Sequence, residues 1–300
     1  MEDNESPVVL AGMTKKFGAA VAVDALDWAP KRGQVTALVG LNGAGKSTTM
    51  RVLTRLVRPT EGSVTMRVGD GQRPLSAMIE GPALYPGMSV RRNLEIQRVL
   101  TGAPASELKE VAELMEIDDV LGKRVKTLSQ GYRQRVAIGA ALLASPAVLL
   151  LDEPTNALDP EAIQHLRRLI RRTADRNVAV VVSTHQLREL EGTADALTLI
   201  HEGKVHYDGS FDAFVGEPSL RVRALDEAAT GSLAALLKEQ GLAIEWAGNE
   251  LRAATDGHAD LLAAQIFDTA AGAGIKLVEL GHVTPTLEEA FQSAISGVRP

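Results

Sequence analysis

The chain contains no cysteine. That absence excludes a disulfide framework, a thiolate zinc site, an iron–sulfur cluster and a cysteine nucleophile, and it makes the reducing cytosol the expected home. An excess of positive charge is also lacking: 32 Lys and Arg stand against 38 Asp and Glu, for a formal net charge of -6. Domains that blanket nucleic-acid phosphates usually carry a basic stripe, so no nucleic-acid partner is expected, a local basic patch aside. Long hydrophobic runs are missing as well. The longest nearly apolar stretch, Val136 to Leu151, falls short of the roughly 20 residues of a spanning helix, and Ser145-Pro146 interrupts it. It reads as a buried helix followed by a buried strand. The acidic segment Met1 to Pro7 lacks the basic-then-apolar order of a secretion signal, so no export signal is expected.

What is present is the composition of an ordinary folded protein, 45% apolar and 23% charged over 300 residues, long enough for two hydrophobic cores. Val35 to Val39 is a short apolar run entering a glycine-rich turn, and apolar residues then recur at helical spacing over Ser47 to Val57. Val148 to Leu151 and Val178 to Val182 are near-continuous apolar runs, as expected of strands covered on both faces in a parallel sheet. Leu197 to Ile200 and Val205 to Tyr207, joined by His201-Glu202-Gly203-Lys204, form a hairpin closing this α/β domain. Gly216-Glu217-Pro218-Ser219 reads as a linker, dividing residues 1–217 from residues 218–300. Beyond it the order is strand (Leu220 to Leu225), helix (Ser232 to Gln240), a hairpin (Leu242 to Trp246 with Glu250 to Ala254), helix (Ala259 to Ala271) and strand (Ile275 to Leu280). That is a ferredoxin-like β-α-β-β-α-β order. A final helix begins at Thr286, with Glu289 at the capping-box position, and is expected to pack back on a neighbour.

Three segments carry chemistry. Gly40-Leu41-Asn42-Gly43-Ala44-Gly45-Lys46-Ser47 fits the P-loop pattern, which arises by chance in about one chain in a hundred of this length. Its glycines let backbone N–H groups approach phosphates; Lys46 reaches the β and γ phosphates and Ser47 binds magnesium. The strand Val148 to Leu151 ends in Asp152 and Glu153, putting negative charge at the carboxyl end of a strand, where sheet ligands bind. Asp152 would hold magnesium, and Glu153 would polarise the water that attacks the γ-phosphate. Leu128-Ser129-Gln130-Gly131 opens a helix, so the Ser129 hydroxyl and the N–H groups beside Gly131 face an anion; alone, this is an ordinary helix cap.

Taken together, a P-loop, a Leu-Ser-x-Gly segment and Leu-Leu-Asp-Glu-Pro about twenty residues later resemble the ATP-binding cassette family over residues from about 8 to 215. Asn156-Ala157-Leu158-Asp159 resembles its D-loop and His185 its switch histidine. The resemblance implies a P-loop NTPase cassette, with a mostly parallel sheet, a helical subdomain and antiparallel N-terminal strands, followed by a small α+β domain. It implies ATP and Mg2+ as cofactors, with Gly40, Asn42, Gly43, Ala44, Gly45, Lys46, Ser47 and Thr48 around the nucleotide and Ser47, Glu80 and Asp152 around the metal. His185 would contact the γ-phosphate, Phe17 would stack on adenine, and Ser129 and Gly131 would close over the nucleotide of the opposite subunit. It also implies a homodimer, or a pair with a second cassette subunit, working with a membrane permease on the inner face of the cell membrane.

The chain departs from the family's commonest pattern at Glu80, where most members have glutamine, and at Gln130 and Tyr132 in the signature segment. A carboxylate can still bind magnesium, and some cassette subunits of peptide-antibiotic exporters, which this segment resembles, carry glutamate there. Tyr85 reads either as an aromatic that docks the membrane partner or as core. His201 and His206 lack a third ligand, and no metal is assigned to them. The ending Pro285-Thr286-Leu287-Glu288-Glu289-Ala290-Phe291 resembles the tail of bacterial drug, peptide-antibiotic or polysaccharide exporter cassettes. The expected function is thus an ATP-hydrolysing subunit that energises export. The alternatives are a non-transport cassette ATPase and a nucleotide-sensing regulatory module.

Overall fold

A computed structural model describes residues 6–68, 73–215, 219–247, 249–254, 259–283 and 286–296. The chain forms two compact units, Met1–Asp212 and Ala213–Pro300. Residues 216 to 218 of the expected linker lie outside the described residues, and Ser219 already opens a strand.

In the first unit, β1 (Val8–Phe17) lies between β2 (Ala20–Trp28) and β4 (Glu61–Met66) in an antiparallel sheet. A six-stranded sheet has the order β5-β6-β7-β3-β8-β9, built from β3 (Val35–Val39), β5 (Arg73–Met78), β6 (Pro146–Asp152), β7 (Ala179–Thr184), β8 (Ala196–His201) and β9 (Lys204–Ser210). Its strands run parallel except β9, which pairs antiparallel with β8 across the expected hairpin. Every residue of β3, β6 and β7 is buried, which is why these strands are continuous apolar runs rather than alternating ones. Helix α1 (Lys46–Leu53) leaves the end of β3 and stops before the expected Val57, because Arg55 takes a left-handed backbone at φ 61°. The helices α2 (Val90–Thr101), α3 (Ala105–Leu114) and α4 (Gln130–Leu142) pack together, and α4 also touches β5, β6 and α5 (Pro160–Ala174). A short α6 (Phe211–Val215) follows β9, and its residues from Ala213 on belong to the second unit.

The second unit contains β10 (Ser219–Ala224), α7 (Glu227–Glu239), β11 (Ile244–Ala247), β12 (Glu250–Ala254), α8 (Ala259–Gly272) and β13 (Leu277–Val283). The antiparallel order β11-β12-β10-β13 places the first and third strands centrally, as in a ferredoxin-like fold. Leu220, Val222, Leu233, Leu237, Leu251 and Ile266 form its own core. Helix α7 starts five residues before the expected Ser232, since Asp226 caps it by accepting from Ala229 N at 2.8 Å. The last helix, α9 (Leu287–Ser296), has the expected capping box: Thr286 N donates to Glu289 Oε2 at 2.9 Å and Glu289 N to Thr286 Oγ1 at 3.2 Å. Among the described residues, no helix is long and apolar enough to cross a membrane.

Candidate nucleotide site

The site begins with two glycines that no other residue replaces. A Cβ on Gly40 would lie 2.2 Å from the Ile200 carbonyl oxygen, and one on Gly45, at φ 113°, 2.6 Å from that of Ala22. The loop between β3 and α1 is therefore wedged against its neighbours, and Gly45 caps α1 with its backbone rather than a side chain. Lys46 is 5% exposed. Its Nζ donates to the Gly40 carbonyl at 2.6 Å and the Leu41 carbonyl at 3.2 Å. Burial lowers its pKa below the ordinary lysine value, while the charges of Glu153 and Asp152 oppose that fall. A buried cation whose hydrogen bonds go to carbonyl oxygens has a strong drive to take an anionic partner.

Asp152 and Glu153 sit where β6 ends, and β7 supplies the residue that organises them. The parallel register sets Asp152 opposite Ser183. Ser183 Oγ donates to Asp152 Oδ1 at 2.6 Å and accepts from Glu153 N at 3.0 Å. One buried hydroxyl thus fixes a carboxylate orientation and the turn of the chain at Glu153, whose φ is 45°. His185 Nδ1 is 3.3 Å from Glu153 Oε1, and the Gln186 amide nitrogen 3.4 Å from His185 Nε2. Glu189 accepts from Thr155 Oγ1 at 2.6 Å and Thr184 Oγ1 at 3.0 Å, tying the segment after Glu153 to the segment after β7.

A cavity of about 490 Å³ gathers Ser47, Glu80, Asp152 and Glu153, with Gln130, Gln134, Asn156 and Ala157 also in its wall. Glu80 stands at φ 60° and pairs with Arg51 in the last turn of α1. The wall is a set of hard oxygen donors, suited to Mg2+. Among the described residues no three His, Asp or Glu side chains converge on one point. A metal here would draw on Ser47, one or two carboxylates and the ligand's own oxygens, as Mg2+ commonly does.

Other expected residues lie elsewhere. Thr48 is half-buried on α1, one position beyond Ser47. Phe17 is 51% exposed at the end of β1, with Lys15 Nζ 4.8 Å from its ring centroid. Ser129 caps α4, its Oγ accepting from Tyr132 N at 3.4 Å, and neither it nor Gly131 lines the cavity. Tyr85 is 55% exposed and so is not core; its backbone is held by the buried Asn93 side chain. The His201 and His206 rings meet edge to face at 5.5 Å. Sequence reasoning missed Ser183, Glu189 and Gln134. Ser183 directly precedes Thr184 and His185, so alignment of β7 beside β6 was the available signal for it.

Comparison with known proteins agrees with this geometry. The profile of the family described as "ABC transporter" matches residues 23–156. The chain is 32% identical over 297 residues to an uncharacterized ABC transporter ATP-binding protein of Bacillus subtilis, covering 94% of this chain and 93% of that protein. It is 37% identical over 210 residues to the bacitracin transport ATP-binding protein BcrA of Bacillus licheniformis, covering 67% and 68% respectively. A lantibiotic transport ATP-binding protein of Streptococcus pyogenes is 34% identical over 209 residues, covering 67% of this chain and 91% of that protein. Among solved structures, an ATP-binding subunit of an ABC transporter superposes with a TM-score of 0.61 at 26% identity, covering 70% of this chain and 92% of that one. The chain belongs to the ATP-binding subunits of ABC transporters, ATPases that bind ATP with Mg2+, dimerise and work with membrane permease subunits.

Proposed function

We propose that this chain energises export through a separate membrane permease, from a peripheral position on the cytoplasmic face of the membrane, with residues 1–217 as the cassette and 218–300 as an accessory domain. The relatives named for bacitracin and lantibiotic transport support a transport role, and the resemblance of the tail to exporter cassettes favours export. The observation that carries the reading is the meeting of Ser47, Asp152 and Glu153 in one cavity, with the buried ammonium of Lys46 on the adjoining loop.

Each residue has a role that follows from its chemistry. The loop from Gly40 to Thr48, with Asn42, Gly43, Ala44 and Gly45, offers N–H groups to phosphates at the start of α1, and Lys46 exchanges carbonyl oxygens for phosphate oxygens. Ser47 Oγ, Asp152 and Glu80 hold the Mg2+, which when bound neutralises charge on the transferring phosphoryl group. Glu153 orients and polarises the attacking water. His185, beside Glu153, contacts the γ-phosphate. Phe17 presents an open π-face to adenine. Ser129 and Gly131, outside their own chain's cavity, serve the nucleotide of the opposite subunit.

Purification of the tagged chain from its native membranes tests the transport reading. The expected result is a multi-helix membrane protein that co-purifies and supports ATP turnover. A consistently soluble or ribosome-bound ATPase would overturn it.

A further inference from the structure

Gln134 is 3% exposed, yet it lines the same cavity as Ser47, Asp152 and Glu153. Its Oε1 is out of contact with solvent and has no hydrogen-bond partner among the described residues. An orphaned buried carbonyl costs free energy that a leucine of similar size would avoid, so packing gives no reason for an amide here. Gln130, one turn earlier on α4, is part of the same cavity wall. The helix that carries these amides also carries Ser129 at its cap, about 7.5 Å away along the axis for five residues of rise. A rigid helix therefore has one end at the signature segment and a polar side chain at its own chain's pocket.

We propose that Gln134 is a positioning residue that couples the two: with Mg-ATP in the cavity of its own chain, its side-chain amide turns toward the cavity and the carbonyl accepts a hydrogen bond from a water that accompanies the nucleotide. That bond sets α4 so that Ser129 and Gly131 are presented to a second copy. The arrangement rests on the reading of the cavity as the Mg-ATP site. It gives each chain a way to offer its signature segment only when its own nucleotide is in place.

The test uses the full chain carrying Glu153→Gln, in which Mg-ATP is expected to drive dimerisation followed by light scattering. Adding Gln134→Leu or Gln134→Met should raise the Mg-ATP concentration for half-dimerisation about tenfold or more, while ADP affinity without Mg2+ stays within about threefold. The melting temperature of both variants should match or exceed that of the parent, since the orphaned oxygen is gone. Half-dimerisation within about twofold of the parent for both variants overturns the inference. So does a parallel fall in melting temperature and ADP affinity, which would mark a merely structural side chain. If the Glu153→Gln parent fails to dimerise with Mg-ATP, the site reading itself falls and this inference with it.

Discussion

The two units solve the same packing problem with different interiors. Among the described residues of the second unit, Thr230 is the single buried polar side chain, and it accounts for itself locally by accepting from Ala224 N at 3.1 Å and donating to the Asp226 carbonyl at 2.8 Å. In the first unit Lys46, Gln134, Asp152, Thr155, Ser183 and Thr184 are all buried, around the carboxyl ends of β3, β6 and β7. Buried polar groups cost stability unless paired; others in this unit, among them Thr14, Asn93, Thr173 and Thr198, lie elsewhere, and this group is set apart by including Lys46 and Asp152 of the candidate site. The ion pairs of the second unit's sheet are partly exposed: Arg221 meets Glu250 at 3.1 Å and Glu279 at 3.4 Å. The residues of the candidate nucleotide site all belong to the first unit.

The largest expected break in this contrast is Lys46→Met. Removing the buried cation should lower ATP turnover about 10³-fold or more, measured as phosphate release, because the β and γ phosphates then lose the ammonium that complements the metal. Next, Leu251→Ala in the fully buried core of the second unit should cost about 2–5 kcal/mol there. Calorimetry should show a lowered transition for that unit while ATP turnover holds; an equal loss of turnover would mean that the units do not act separately. Smaller still, Ser183→Ala should cost about 1–3 kcal/mol and slow turnover about tenfold, since Asp152 and the Glu153 amide lose a shared buried partner. The smallest effect belongs to Thr286→Ala, at about 0.5–2 kcal/mol for a lost cap. Glu289 is held below its ordinary value of 4.5, chiefly by the Thr286 backbone N–H. A depressed carboxylate stabilises above its unfolded pKa and loses that stabilisation as pH falls through the folded value. Because Thr286→Ala keeps that backbone N–H, the variant should lose stability near neutral pH while the pH dependence of acid unfolding below about pH 4.5 changes little, followed by circular dichroism.

How legible the molecule was follows the same division. Gly40 and Gly45 could be read because backbone geometry tolerates no other residue there, and Asp152 and Glu153 because an apolar strand that ends in two carboxylates has few uses. The ferredoxin-like order could be read from alternating periods of two and 3.6. Helix ends were less legible: α1 stops early at Arg55, whose left-handed backbone no propensity announces, and α7 starts at Glu227 because Asp226 caps it ahead of the apolar periodicity. Ser183 gains its role from the register of β7 against β6, and Gln134 from the packing of α4 beside the cavity. Both are through-space facts. Phe17, Ser129 and Gly131 owe their expected roles to the family resemblance; in the chain they stand apart from the cavity wall.

The measurement that bears most directly on the central claim is single-turnover ATP hydrolysis by Glu153→Gln beside the unmodified chain, with bound nucleotide scored as ATP or ADP. If Glu153 is the base, hydrolysis falls by about 10²–10⁴-fold and the bound nucleotide stays ATP, with affinity changed little. Turnover at the unmodified rate would contradict the account and remove Glu153 from the chemistry.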